Sequence, residues 1–239
     1  MVRKLQKLVE QGSARLKLRK QDVSDLCVVT SFDASFGGEP GMKSQLGFIT
    51  FLTSSLVVKQ ETSCNIVEFQ SSTIRRVVKS TMAAEAASMS TALDRQLYLR
   101  LLVEALLHGE PERGPDWRHK LKVAGILITD ARSLFDHLNK TGSFPREKQT
   151  LIDLLVARDL TEADAVKVVW VPTTHMLADK LTKVTGDTPV FEKFMKQGLY
   201  CLTQTEEEQE VENRRKELRQ GQRQRRKERK QLVKGTVLP

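Results

Sequence analysis

LCVVTSFDASFGG, residues 26–38, is an apolar run that closes on a carboxylate and then gives way to small residues. Its first part reads as a buried strand. Asp33 would stand where that strand stops, with Ala34, Ser35, Gly37 and Gly38 leaving open space in front of it. Asp, Ser and Gly are also what turns are made of, and taken alone the stretch reads as a turn. A carboxylate held by a rigid element and facing a clearing is equally a place for chemistry. The rest of the chain has to decide between the two.

Outward from this run, LGFITFL (46–52) and NIVEF (65–69) read as further strands. They are separated by Gly, Pro, Ser and Thr clusters such as GGEPG (37–41), which predicts antiparallel hairpins or a meander. The period then changes. Between Ser80 and His108, apolar residues recur at Met82, Met89, Leu93, Leu97 and Leu101 with abundant Ala and no Gly or Pro, predicting one long helix. Ser80 or Thr81 would cap it and Gly109 would end it. VAGILIT (123–129) is another strand, 131–140 and 147–160 read as helices, AVKVVWVP (165–172) as a strand closed by proline, and HMLADKLTK (175–183) as a helix. The order βββ-α-β-α-α-β-α predicts an α/β body with a mixed sheet and helices on its faces.

Charge is distributed unevenly over the 239 residues, whose formal net charge is +9. Residues 211–239 hold eleven Lys and Arg against three Asp and Glu, and residues 1–22 hold seven against two, leaving the span between mildly acidic. Basic ends on an acidic body suggest a polyanionic partner, most often nucleic acid. Cys27, Cys64 and Cys201 are odd in number, far apart and without a CxxC pair, which excludes a disulfide framework and a zinc module and fits a reducing compartment. Charges interrupt the first twenty residues, so no secretory segment is predicted, and no apolar run approaches bilayer length. The expectation is an intracellular protein, cytoplasmic or nuclear, with no membrane partner.

Three more acidic residues share the odd placement of Asp33. Asp130 ends the run VAGILIT, Glu85 lies about one turn into the long helix among small residues, and Asp179 opens the last helix of the body in LADKLTK. If strands 26–32 and 123–129 are parallel neighbours, their carboxyl ends meet at the edge where open α/β sheets bind ligands. Four carboxylates gathered there would repel one another unless cations lay between them. Oxygen-only ligands suit magnesium or manganese, and a pair of such ions serves phosphodiester cleavage. Singly, Asp130 reads equally as a helix cap, Glu85 as a solvent-facing helix residue and Asp179 as a partner of the helix dipole. Jointly they make a candidate metal set.

At these residues the chain resembles the ribonuclease H domain that ends the polyprotein of Copia-type LTR retrotransposons. The resemblance covers roughly 23–184. FDASFGG (32–38) and QLGFITFL (45–52) resemble the family's first two strands, and KSTMAAEAASMS (79–90) its serine-rich entry to the acidic helix. ITDARSLFDHL (128–138) is similar to the third motif, and VPTTHMLADKLTK (171–183) to the closing signature. Ala131, Ala83 and Ala86 depart from the family's usual residues without removing a ligand. The resemblance implies a ribonuclease H-like fold with a five-stranded mixed sheet and helices on both faces; beyond about residue 205 the Glu, Gln, Arg and Lys composition predicts a basic C-terminal tail, helical or disordered. It also implies two Mg2+ ions, with Mn2+ as a substitute, held by Asp33, Glu85, Asp130 and Asp179 as catalytic residues. The implied reaction is hydrolysis of the RNA strand of an RNA–DNA hybrid, with no small-molecule cofactor. Residues 1–22 would then be a helical remnant of the preceding reverse transcriptase or connection region, itself a possible partner; 23–184 the catalytic domain; and 185–239 a charged tail.

Arg75, Arg76 and Lys79, with Ser80 and Thr81, lead into the amino end of the Glu85 helix and are candidate nucleic-acid contacts. The same charges also suit an edge strand avoiding partners. RRKELRQGQRQRRKERK (214–230) reads as a phosphate-binding arm, a nuclear-localisation patch, or an extension without a role. His175 reads as a surface or helix-capping residue, and Trp117 and Trp170 as partly buried structural residues. The alternative to an enzyme is a catalytically silent module of the same fold that binds nucleic acid through its basic ends.

Overall fold

Strand β1 (Leu26–Glu39) pairs antiparallel with β2 (Lys43–Ser54) across a turn at 40–42, where Gly41 and the exposed Met42 take positive φ. Strand β3 (Thr62–Ser63) is a short piece outside the main sheet, and β4 (Asn65–Thr73) adds antiparallel to β2. Beyond the long helix α1 (Thr81–His108), strand β5 (Ala124–Thr129) runs parallel to β1, and β6 (Lys167–Trp170) runs parallel to β5. The sheet order is β4-β2-β1-β5-β6. This is the five-stranded mixed sheet with helices on both faces that the ribonuclease H resemblance implies. These features belong to a computed structural model, which describes residues 18–110, 114, 116–139, 145–163, 165–183 and 188–203. The chain divides into two units after Leu202. The basic tail and the first seventeen residues lie outside the described residues, and with them the expectations placed there.

Alternation along β1 and β2 sends residues to two separate cores. Phe32, Ala34 and Phe48 meet α1, α2 (Arg132–Asn139) and α3 (Lys148–Glu162), through Ala84, Ala87, Met89, Leu134 and Leu154. The alanines of α1 let its backbone lie close to the sheet. On the other face Val29, Phe51, Ile126 and Ile128 meet Met176, Leu177, Ala178, Phe194 and Tyr200. Ser80 caps α1, its Oγ accepting from the Ala83 N–H at 3.1 Å, and Gly109 closes the helix at φ 85°.

A polar stripe on α1 locks the parallel pair β1–β5. Gln96 Nε2 donates to the carbonyls of Ile126 (2.7 Å) and Val28 (3.2 Å), and Arg100 Nε donates to Val123 O at 2.8 Å. Glu104 accepts from the Val123 N–H at 2.9 Å. Gly125 makes the approach possible, since a Cβ there would come within 2.9 Å of Gln96 Oε1 and 3.0 Å of Arg100 Cδ. The register of β1 against β5 sets where Asp33 and Asp130 stand.

Three expectations are corrected. Asp33 is neither a strand end nor a turn residue. The β5 pairing stops at Ser31–Ile128, but the β2 pairing continues through Asp33–Gly47 to Ser35–Gln45 and resumes at Glu39–Lys43 after a bulge. Next, 175–183 is not one helix. A 3-10 turn (Thr173–His175) is followed by extended, buried Met176 and by a single helical turn, α4 (Asp179–Thr182). The pull of Met176, Leu177 and Ala178 into the second core overrides their helical periodicity. Finally, the body does not end at 184. Helix α5 (Pro189–Gln197) and strand β7 (Leu199–Tyr200) fold back onto it, β7 pairing antiparallel with β3. Phe194 and Tyr200 pack edge-on against Phe51 at centroid distances of 5.1 and 5.7 Å.

Candidate metal centre

β1 outruns its parallel neighbour by several residues, so the carboxyl end of β5 opens a notch in the sheet edge beside Asp33. Asp130 follows the last residue of β5 and lines the notch from the other side. Asp179 enters at the start of α4, whose closeness to β2 depends on Gly47. A Cβ on Gly47 would stand 2.6 Å from Leu181 Cβ and 2.8 Å from Thr182 Cγ2. Asp33, Asp130 and Asp179 each offer an oxygen, and these oxygens all lie within 4.8 Å of one another.

Glu85 stands apart from this trio for a topological reason. Parity along β1 and β5 puts Asp33 and Asp130 on the side of the sheet where α4 carries Asp179, whereas Glu85 comes from α1 on the opposite face. It is buried and reaches the notch over the sheet edge, accepting from the Ala34 N–H. Ser88, one turn on, donates to Asp33 O at 2.8 Å and ties α1 to the same point of β1.

The electrostatics are those of crowded, desolvated acids. Burial pushes the Asp33 carboxyl up to about 6, against the pull of the Lys183 ammonium and the Thr182 hydroxyl, and with further push from Asp130 and Asp179. Burial likewise raises Glu85 well above the usual carboxylate range, with Asp33 and Asp130 adding repulsion. Asp130 is raised chiefly by burial, against the Thr173 hydroxyl, which donates to its Oδ2 at 2.8 Å. Thr182 Oγ1 donates to Asp33 Oδ2, and Lys183 Nζ bonds Asp179 Oδ1 while lying 3.6 Å from Asp33 Oδ2.

The donor set fits a hard divalent ion. It is all oxygen and rich in negative charge, and Glu85 Oε2 is a buried acceptor with no hydrogen-bond partner. Such an orphaned oxygen, within the electrostatic reach of Asp33 and Asp130, is what a cation would satisfy.

Among the residues proposed for nucleic acid, Arg76 is held by Asp153 of α3, so its guanidinium ties the segment leading into α1 to α3. Arg75, Lys79, Ser80 and Thr81 are exposed at the amino end of α1. Ser80 is also the helix cap. His175 is buried, with its carbonyl accepting from Tyr200 Oη at 2.9 Å, which corrects the surface placement expected of it. Trp117 and Trp170 are partly buried, and Trp170 Nε1 donates to Asp130 O at 3.1 Å. Sequence reasoning passed over Thr173, Thr182 and Lys183. All three lie inside VPTTHMLADKLTK, and their closeness to Asp179 along the chain was the available signal.

No protein-family model matches the chain, and no curated protein matches it. Among solved structures it is similar to RNase H1 from the halophilic archaeon Halobacterium salinarum NRC-1, with 20% identity over 64% of this chain and 92% of that one and a TM-score of 0.41. It is also similar to the N-terminal RNase H domain of rv2228c from Mycobacterium tuberculosis, with 16% identity over 72% and 97% of the two chains and a TM-score of 0.40. A third is the prototype foamy virus protease-reverse transcriptase, with 15% identity, 71% of this chain but 22% of that one, and a TM-score of 0.38.

Proposed function

We propose that the chain is a divalent-metal-dependent ribonuclease H, cutting the RNA strand of RNA–DNA hybrids, and that it derives from the end of a Copia-type retrotransposon polyprotein next to a reverse transcriptase. The observation that carries the reading is the convergence of Asp33, Asp130 and Asp179 within 4.8 Å, with the orphaned Glu85 Oε2 in the field of Asp33 and Asp130. Asp33, Glu85, Asp130 and Asp179 would hold two Mg2+ ions, for which Mn2+ substitutes. Ions bound there would supply an activated water and charge neutralisation at a phosphodiester. The chain's own residues do the rest. Thr182 and Thr173 orient the carboxylates of Asp33 and Asp130 by direct hydrogen bonds. The helical lead, with Arg75, Lys79, Ser80 and Thr81 exposed and Arg76 bracing them through Asp153, would seat a phosphate backbone.

The test is cleavage of an end-labelled RNA–DNA hybrid with Mg2+ or Mn2+. Wild type is expected to cut the RNA strand, and Glu85→Gln and Asp33→Asn to lose about 100-fold or more. Wild-type cutting no faster than Glu85→Gln overturns the assignment. Hybrid binding that survives both substitutions would then favour the silent nucleic-acid module.

A further inference from the structure

Lys183 follows the single turn of α4, and its side chain turns back into the notch. The ammonium bonds Asp179 Oδ1 and lies 3.6 Å from Asp33 Oδ2. Its charge also favours ionisation of Glu85 and Asp130, so its field reaches the whole carboxylate set. A lysine so placed does the job of a counter-ion. It relieves repulsion among acids that the fold has forced together. An ammonium and a divalent ion cannot share the same few ångströms without strong mutual repulsion. The Lys183 side chain is 40% exposed and sits on a flexible four-carbon stem, so it has an open path outward.

We propose that Lys183 is a built-in competitor for the metal: a divalent ion binds to Asp33 and Asp179 by displacing its ammonium. The inference rests on the metal-site reading above. Its consequence is a site with deliberately moderate affinity, held together by the protein's own cation until ions of sufficient concentration replace it. On exchange the ammonium stays on its stem and becomes solvated, and the two positive charges of the ion take the place of its single charge in the notch.

Two measurements test this on the full chain. In the first, Mn2+ is titrated by calorimetry into wild type, Lys183→Met and Lys183→Arg at pH 7.5 and low salt. Lys183→Met is expected to bind Mn2+ about ten-fold more tightly, an estimate that allows for solvent screening of a part-exposed charge, while Lys183→Arg stays close to wild type. In the second, wild type alone is followed by the lysine Cε–Nζ resonances during Mg2+ addition. The Lys183 signal is expected to move from a hydrogen-bonded to a solvent-like position as the ion binds, a readout independent of whether the variant folds. Equal or weaker Mn2+ binding by folded Lys183→Met overturns the proposal, as does an Mg2+ complex in which the Lys183 signal stays put. In either case the metal site itself stands. Failure of wild type and Lys183→Met alike to bind either ion removes this inference together with the metal-site reading.

Discussion

At Asp33 the fold holds a carboxyl whose pKa rises from an ordinary 3.8 to about 6. The folded chain therefore binds a proton that the unfolded chain has already released across that interval. Stability from this group is fully present below about pH 4 and is lost as pH rises towards 6, by up to about 3 kcal/mol. Asp130 and Glu85 are shifted the same way and reinforce the trend. Asp22 and Asp25 are shifted downward and titrate below this window. Melting in chelator is expected to give a higher Tm at pH 5 than at pH 7.5, and Asp33→Asn to raise the pH 7.5 value by several degrees and flatten the slope. Added Mn2+ should reverse the pH 5 advantage, because the ion requires the ionised carboxylates. Each acid was legible in the sequence because it sits at an element's end or among small residues. The groups that touch them were not. A threonine or a lysine in LTK looks the same whether it faces solvent or Asp33, and only the return of α4 onto β2 decides.

Among the elements, the contact of α4 with β2 is the most exposed to a single substitution. Gly47→Ala places a methyl against Leu181 Cβ and Thr182 Cγ2, and also 3.3 Å from the Leu181 backbone carbon, so the turn has to move away. It is expected to destabilise by about 1–3 kcal/mol in urea unfolding. It should also weaken Mn2+ binding, because Thr182 and Asp179 ride on that turn. The long helix and the five main strands could be read from period alone, since α1 has no internal Gly or Pro and β5 is a continuous apolar run. Two features broke the local rules. β1 runs through FDASFGG because β2 supplies partners for it there, which no local propensity for turns can report. HMLADKLTK carries helical spacing but is interrupted at Met176, which is extended and buried with Leu177 and Ala178 ahead of the single turn of α4.

On the scale of the whole molecule, the return of α5 and β7 is what sequence reading missed, because PVFEKFMKQGLY is short, charged and next to a basic tail. Its punctuation was nevertheless present. Thr188 caps α5, its Oγ1 accepting from the Phe191 N–H at 3.2 Å, Pro189 takes the first helical position, and Gly198 ends the helix in the left-handed region. Truncation after Lys183 is expected to uncover Phe51 and Val57 and cost several kcal/mol, giving a chain that binds a hydrophobic dye or aggregates. Phe194→Ala, removing one ring of the three, is expected to cost about 3–5 kcal/mol by denaturant titration.

The short ladder of β3 and β7 carries one more consequence. Asn65 Oδ1 accepts from the Arg19 N–H and its Nδ2 donates to Arg19 O, both at 2.7 Å, while Gln21 Nε2 reaches Ser63 O at 3.0 Å. On the same few residues, Cys64 N donates to Gly198 O at 2.7 Å and Ser63 pairs with Leu199. The polypeptide thus enters and leaves the body at one doorway. A module with such a doorway can be spliced into a loop of a host protein, or cut open at the 40–42 hairpin tip and rejoined at its ends, with its sheet undisturbed.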